Sequence, residues 1–139
     1  MCGEQLAGVE KIVQKYRNIK SIKFTGFVNP NDYYEMAHVS VLPTLSEGFG
    51  RTIIESMSYG LPVISTPAVR DIISHGENGI IVPYKDSNAM AIWLKKLYAD
   101  HEYCIKIGQE AAVSSKKYTW RNYNSSILNA IEQIQAIEG

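Results

Sequence analysis

The chain has 139 residues, 45% apolar and 20% charged, the make-up of a globular protein large enough to bury a core without staples. Fourteen Lys and Arg against fourteen Asp and Glu leave a formal net charge of zero. That excludes a basic arm for nucleic acid, because neutralising phosphates needs an excess of cations.

No apolar run approaches the ~18 residues of a membrane span. No basic segment followed by a long apolar stretch opens the chain. The two cysteines, Cys2 and Cys104, make neither a disulfide framework nor a metal site. A cytoplasmic location is therefore expected.

In chain order, Leu6, Val9, Val13 and Tyr16 fall on one face of a helix, although only Met1 and Cys2 stand where a preceding strand would end. Four short runs rich in β-branched residues follow, at 21–24, 39–42, 62–65 and 79–82. They are continuous rather than alternating, as strands buried on both faces of a parallel sheet are. Between the first two, Asn29 stands as an N-cap before Pro30 at the first helical position, opening a short helix through Met36. Residues 51–59 read as a second helix, closed by Gly60. A turn at 75–79 leads into the fourth strand, with Asn78-Gly79 suited to positive φ.

This alternation predicts an α/β fold, a Rossmann-like doubly wound parallel sheet with C-terminal helices, in one domain spanning 1–139. The last third is helical. Asp86 caps a stripe of Met90, Trp93, Leu94 and Leu97, and Thr119 caps another of Tyr123, Ile127, Ile131 and Ile134. Both stripes read as core-packing faces.

Residues 42–55, Leu-Pro-Thr-Leu-Ser-Glu-Gly-Phe-Gly-Arg-Thr-Ile-Ile-Glu, carry the chemistry. A strand ends at Leu42 and a helix begins near Gly50, which places the intervening loop at the carboxyl edge of a parallel sheet, where α/β folds hold ligands. Gly48 and Gly50 flank Phe49 and let the backbone approach a ligand. Unpaired amides at Gly50, Arg51 and Thr52 would face an anion, with phosphate the natural candidate. Glu47 lies in the loop and Glu55 about one and a half turns into the helix, so one ligand of nucleotide-sugar length reaches both carboxylates. Two glutamates eight apart occur by chance in most proteins, and a Gly-Phe-Gly turn can be only a turn. The combination with Gly60 and Pro62-Val63-Ile64 is far more specific.

That combination resembles the retaining GT-B glycosyltransferases of the large group one family, also called family four. Their signature is two glutamates separated by seven residues, Glu-Gly-Phe-Gly, then Glu-Ala-Met and Gly-x-Pro-Val. The likeness extends to Phe24-Thr25-Gly26-Phe27, to Tyr34 and Ala37-His38-Val39-Ser40, to 75–83, and to Tyr118-Thr119-Trp120 at the entry of the last helix.

The resemblance implies a C-terminal, nucleotide-sugar-binding half of a GT-B fold, N-terminally truncated. The implied reaction is transfer of a hexosyl group from a nucleoside diphosphate with retention. It implies that Glu47 is catalytic, hydrogen-bonding the donor sugar near its C3 hydroxyl. It places Gly48, Phe49, Gly50 and Thr52 at the sugar and diphosphate and Glu55 on the ribose. Gly26, Phe27 and Val28 would form the base pocket. No metal or other cofactor is implied, and the three scattered histidines agree. A glycan or lipid-linked acceptor would be held by an N-terminal domain outside this chain. The last helix often crosses to that domain in family members, so here it is expected to be partly exposed or self-associating. The full-length protein would be cytoplasmic or peripheral at the cytoplasmic membrane face.

Several positions depart from the family pattern. His38 stands where Asp is common, Asp71 where Glu is, and Pro67-Ala68 replace a Gly-Gly pair; Ser56 replaces Ala. Arg51 occupies a variable position and reads as solvent-facing. The family's first strand and loop, with the Arg and Lys that bind the diphosphate, are not found, and Cys2-Gly3-Glu4-Gln5 resembles the loop after the next strand. A nucleotide-sugar 2-epimerase would show Asp-Ser-Gly-Gly before its acidic residues, whereas this chain has Leu45-Ser46-Glu47-Gly48-Phe49. A non-catalytic binding module is the other alternative, and both glutamates argue against it.

Overall fold

The computed structural model describes residues 9–138, apart from the side chains of 120, 123, 126, 130 and 135–138. The chain divides into two compact units, residues 1–36 and 37–139. The first holds α1 (Glu10–Tyr16), around the buried Val13, and α2 (Asn31–Tyr34). Leu6, expected on the α1 face, lies outside the described residues. The Asn29 side chain accepts from the Asn31 amide at 3.2 Å, but the N-cap is Pro30 rather than Asn29, and the helix runs only from Asn31 to Tyr34, continuing as a turn through Met36.

The strand expected at 21–24 is not formed. Those residues run as a turn and irregular chain up to Gly26, which makes only a single bridge and has a φ of +68°. An apolar run becomes a strand only when a ladder pairs it, and no described strand lies in this unit.

The second unit is built on a parallel sheet, β1 (Ser40–Leu42), β2 (Val63–Ser65) and β3 (Ile80–Ile81), in that spatial order. Ser40 pairs with Val63, Leu42 with Ser65, and Ile64 with Ile80. Side chains alternate across a strand, so the neighbours Val63 and Ile64 point to opposite faces. Val63 joins Ile53 and Met57 of α3 (Arg51–Ser58), Val69, Ile73 and Ala111. Ile64 joins Ile80, Val82, Leu97, Cys104 and Ile107. One core lies on each face of β2, which explains why Val63 and Ile64 are both apolar and buried; in β1, Val41 is 38% exposed. Each fully buried Ile or Leu contributes about 1.5–3 kcal/mol of burial.

α4 (Ser87–Ala99) and α5 (His101–Ser115) are capped by Asp86 and Asp100, whose carboxylates accept from the Ala89 and Tyr103 amides at 2.8 and 2.9 Å. Leu94 departs from the expected α4 stripe. It is 39% exposed, while Met90, Trp93 and Leu97 turn to the core, because the buried face is narrower than the apolar pattern. α5 serves both cores, with Ala111 in one and Cys104 and Ile107 in the other. Its Gly108 lies so close to Gly60 that an added Cβ would stand 2.2 Å from the Gly60 carbonyl oxygen.

Gly60 ends α3 with φ +74°, as the sequence predicts. The turn at 75–79 differs from expectation: Gly76 takes the positive φ, at +82°. Asn78 is buried instead, accepting from the Ser74 amide and donating to the Ile72 carbonyl. Gly79 is required by space, since a Cβ would meet Ile73 at 2.9 Å and the Val63 carbonyl at 3.0 Å.

The last helix, α6 (Trp120–Glu138), begins at the expected Thr119 cap, which accepts from the Asn122 amide at 3.2 Å. Its stripe is not a core face. Ile127, Ile131 and Ile134 are exposed, because nothing in the described residues covers them; the Tyr123 side chain lies outside the described part.

Candidate functional site

The loop between β1 and α3 is fastened to the sheet by hydroxyls. Ser65 Oγ donates to the Leu42 carbonyl at 2.7 Å, and the buried Thr66 hydroxyl donates to the Thr44 carbonyl. Thr44 Oγ1 in turn donates to the Ser46 carbonyl at 2.7 Å. These contacts hold residues 43–46 at the carboxyl end of the strands and aim the following glycines outward. Thr66 was not foreseen as part of this frame. Its sequence signal is a polar pair, Ser65-Thr66, closing a strand that is otherwise apolar.

Gly50 is the hinge of the loop. It is buried with φ +65°, a conformation open mainly to glycine, and an added Cβ would sit 2.6 Å from Ile72 Cδ1. Its carbonyl accepts from the Ile53 and Ile54 amides and starts α3. Its own amide is not free, contrary to the expectation from sequence, because it donates to Glu47 Oε1 at 3.3 Å. The carboxylate thus closes the turn on itself. The Arg51 and Thr52 amides point from the first turn of α3 without an acceptor among the described residues. Nothing stands within 4 Å of a Cβ built on Gly48, so that backbone faces open space.

Glu55 lies one turn along α3 from Arg51, whose Nε donates to its Oε1 at 2.8 Å. The Arg side chain is 86% exposed and the Glu side chain 35%, so the pair is a surface one. Arg51 is solvent-facing, as read from sequence. Ser56 is buried between two partners, the Thr52 carbonyl at 2.8 Å and Ser40 Oγ at 2.9 Å, and so ties α3 to β1.

Phe49 meets Tyr118 edge to face, with centroids 6.5 Å apart and planes at 80°. The Tyr118 hydroxyl donates to the Asp71 carbonyl at 2.9 Å, just beyond the 3-10 turn Pro67–Val69, where Pro67-Ala68 depart from the Gly-Gly pair of the family pattern. Burial, and then the charge of Asp71, raise the Tyr118 phenol above its ordinary pKa. Burial likewise raises the Cys104 thiol, which sits 3.9 Å from the carbonyl of His38; the His38 side chain is exposed.

The structure therefore gathers Glu47, Gly48, Phe49, Gly50, Thr52 and Glu55 on one loop and the helix it starts. Gly26, Phe27 and Val28 belong to the other unit, where Phe27 is 92% exposed. A cleft of about 510 Å³ in that unit, lined by Glu10, Val13, Arg17 and Phe24 among others, includes none of those three. Among the described residues no three His, Cys, Asp or Glu side chains are grouped to hold a metal ion, and no helix is long and apolar enough to cross a membrane.

A sequence profile described as "Glycosyl transferases group 1" matches residues 2–100. Sucrose-phosphate synthase of Zea mays is 30% identical over 135 residues, covering 91% of this chain and 13% of that protein. The C-terminal domain of LpcC, a glycosyl transferase group 1 family protein of Francisella tularensis, has 30% identity and a TM-score of 0.68, covering 79% of this chain and 60% of that one. HepE of Anabaena, solved in complex with UDP-glucose, superposes with a TM-score of 0.83 over 95% of this chain and 40% of its own; at 22% identity it shows the shared fold. The chain spans no more than about a third of the length of the first curated relatives it matches.

Proposed function

The chain belongs to the group 1 glycosyl transferases, and from that membership we propose that it is the donor-binding part of a retaining hexosyltransferase. The donor is a nucleoside diphosphate sugar, and the acceptor is a glycan or lipid-linked sugar held by residues outside this chain. The observation that carries the reading is the Glu47–Gly50 loop. Gly50 is held in a left-handed turn, one oxygen of Glu47 is tied to its amide, and two helix amides are left facing outward.

Each part has a chemical use. With Oε1 engaged, Oε2 of Glu47 remains to accept from a sugar hydroxyl, in an orientation already fixed by the loop. The open Gly48 backbone admits the sugar, and the Phe49 amide lies beside it. The Arg51 and Thr52 amides, with the positive end of the α3 dipole, meet the diphosphate. They stabilise the negative charge that develops on the leaving group as the sugar–oxygen bond breaks. The Thr52 hydroxyl is exposed beside them. Glu55 exchanges its surface pairing with Arg51 for the two ribose hydroxyls. In this reading the phosphate charge is met by amides rather than by a metal ion.

Calorimetry on the 139-residue chain tests the proposal, with UDP and UDP-glucose as first probes and ADP and GDP as alternatives. The expected result is saturable binding of at least one nucleotide, weakened about tenfold or more by Glu55→Gln at an unchanged melting temperature. Binding by none of them at millimolar concentration would overturn it, and so would binding indifferent to Glu55.

A further inference from the structure

We infer that Tyr118 is a positioning residue for the Gly48-Phe49-Gly50 loop, an inference that rests on the donor-binding reading and names what holds its loop in place. Two pairs of residues meet beside Tyr118. Gly50 packs its Cα against Ile72 so closely that a methyl group there would stand 2.6 Å from Ile72 Cδ1. Their chain neighbours, Phe49 and Asp71, are both held by Tyr118, one through the ring and the other through the hydroxyl. A single side chain thus clamps the loop to the turn it leans on, across 69 residues of sequence on one side and 47 on the other.

The clamp has a specific task because the loop is permissive. Phe49 sits between two glycines and is more than half exposed, and its ring has no other aromatic partner among the described residues. The peptide units on either side of Phe49 carry the Phe49 amide assigned to the sugar and the Gly50 amide that holds Glu47, so whatever fixes its ring also fixes their direction. Core filling does not account for Tyr118. It lies in the turn between α5 and α6 and belongs to neither hydrophobic cluster. A tyrosine phenol is protonated at neutral pH, and the raised pKa extends the hydroxyl's role as donor to the Asp71 carbonyl further into the alkaline range.

The test compares Tyr118→Leu, which removes ring and hydroxyl, with Tyr118→Phe, which keeps the ring. Amide hydrogen exchange of the ligand-free chain is read beside UDP calorimetry. Tyr118→Leu is expected to speed exchange over 46–52 about two- to tenfold, the weight of one aromatic pair, while segments over β2 and α5 keep their rates. UDP affinity falls by a similar factor. Tyr118→Phe is expected to restore most of the protection and affinity over the loop and to leave only 69–73 faster.

Unchanged exchange over 46–52 in folded Tyr118→Leu overturns the inference. An equal rise over β2 and α5 does the same, because it marks general loosening, and so does a phenylalanine that fails to rescue. Should Tyr118→Leu not fold, Phe49→Leu removes the ring contact from the other side and must speed the same segment; no change there refutes the clamp. If the wild-type chain binds no nucleotide, the donor reading fails while the exchange rates still decide the role of Tyr118.

Discussion

The Gly50 amide donates to Glu47 Oε1 at 3.3 Å, so the carboxylate central to the proposed chemistry is also the strut of its own loop. This separates two substitutions that are easily equated. Glu47→Gln keeps an oxygen acceptor for Gly50 and should leave the loop and UDP affinity within about twofold while lowering turnover in a transfer assay of the full-length enzyme. Glu47→Ala removes the strut, and faster exchange of the Gly50 amide should accompany its loss of function. Glu55→Gln, which touches no backbone group, should weaken UDP and UDP-sugar alike by about 1.5–3 kcal/mol. Equal loss of UDP affinity in Glu47→Gln and Glu55→Gln would refute the division of labour.

The glycines divide by what surrounds them, and alanine substitutions should expose the division. Gly108→Ala drives a Cβ to 2.2 Å from the Gly60 carbonyl oxygen, a backbone clash between α5 and the end of α3. It should lower stability by about 1–3 kcal/mol or more in urea titration. Gly48→Ala meets nothing within 4 Å and requires no left-handed backbone, so stability should change by less than about 0.5 kcal/mol. Its effect should fall on UDP-sugar affinity. A Gly48→Ala chain as stable as wild type, with unaltered UDP-sugar binding, would count against backbone approach at that position.

Arg51 stands in the first turn of α3 beside the amides proposed to meet the diphosphate, yet its geometry assigns it elsewhere. It pairs with Glu55 across one exposed helical turn, an arrangement worth about 0.3–0.5 kcal/mol, and its charge at the N-terminus opposes the helix dipole. Arg51→Ala should therefore shift stability by no more than about 0.5 kcal/mol and leave UDP affinity within about threefold. A loss of tenfold or more would make Arg51 a phosphate ligand.

The sheet was readable because residues 39–42, 62–65 and 79–82 are short runs rich in β-branched residues; two-sided burial accounts for the pattern in β2, whereas β1 carries Ser40 and leaves Val41 38% exposed. Residues 21–24 carry the same pattern and form no strand, since periodicity records burial but not a pairing partner. The loop was legible through its glycines and glutamates, which are local. The clamp on it was not. Tyr118 reaches Phe49 and Asp71 only through the fold, as Gly108 reaches Gly60, and no sequence spacing encodes either meeting. The same limit misplaced the positive φ at Asn78-Gly79, because the buried Asn78 contacts to Ser74 and Ile72 are set by packing.

Tyr118 also gives the stability of the chain a pH dependence of definite sign. Its folded-state pKa is raised, first by burial and then by Asp71, so folding favours the neutral phenol. The stabilisation is fully present below the ordinary tyrosine range near 10 and is lost as pH rises through the folded value. The buried Cys104 thiol, raised by burial, acts in the same direction from the ordinary thiol range upward. Between about pH 8 and pH 10.5 the melting temperature should fall less in Tyr118→Phe than in wild type. An identical fall in both would remove Tyr118 from the alkaline transition.

The last helix should tolerate changes that the other helices do not. Ile127, Leu128, Ile131 and Ile134 of α6 are all more than 40% exposed, whereas Leu97 of α4 and Ile107 of α5 are 1% exposed. Truncating a buried aliphatic removes its transfer energy and leaves a cavity, so Leu97→Ala and Ile107→Ala should each cost about 2–5 kcal/mol. Ile131→Ser removes a side chain already in water and should cost less than about 0.5 kcal/mol beyond its small loss of helix propensity. An exposed apolar stripe of this length is also where the self-association expected from sequence would be read. Sedimentation across a concentration series should give a mass that rises with concentration and returns to the monomer value in Ile131→Glu. A mass constant at all concentrations would show that the stripe does not bind a second copy, and a core-sized loss in Ile131→Ser would show that α6 is seated more deeply than its exposure indicates.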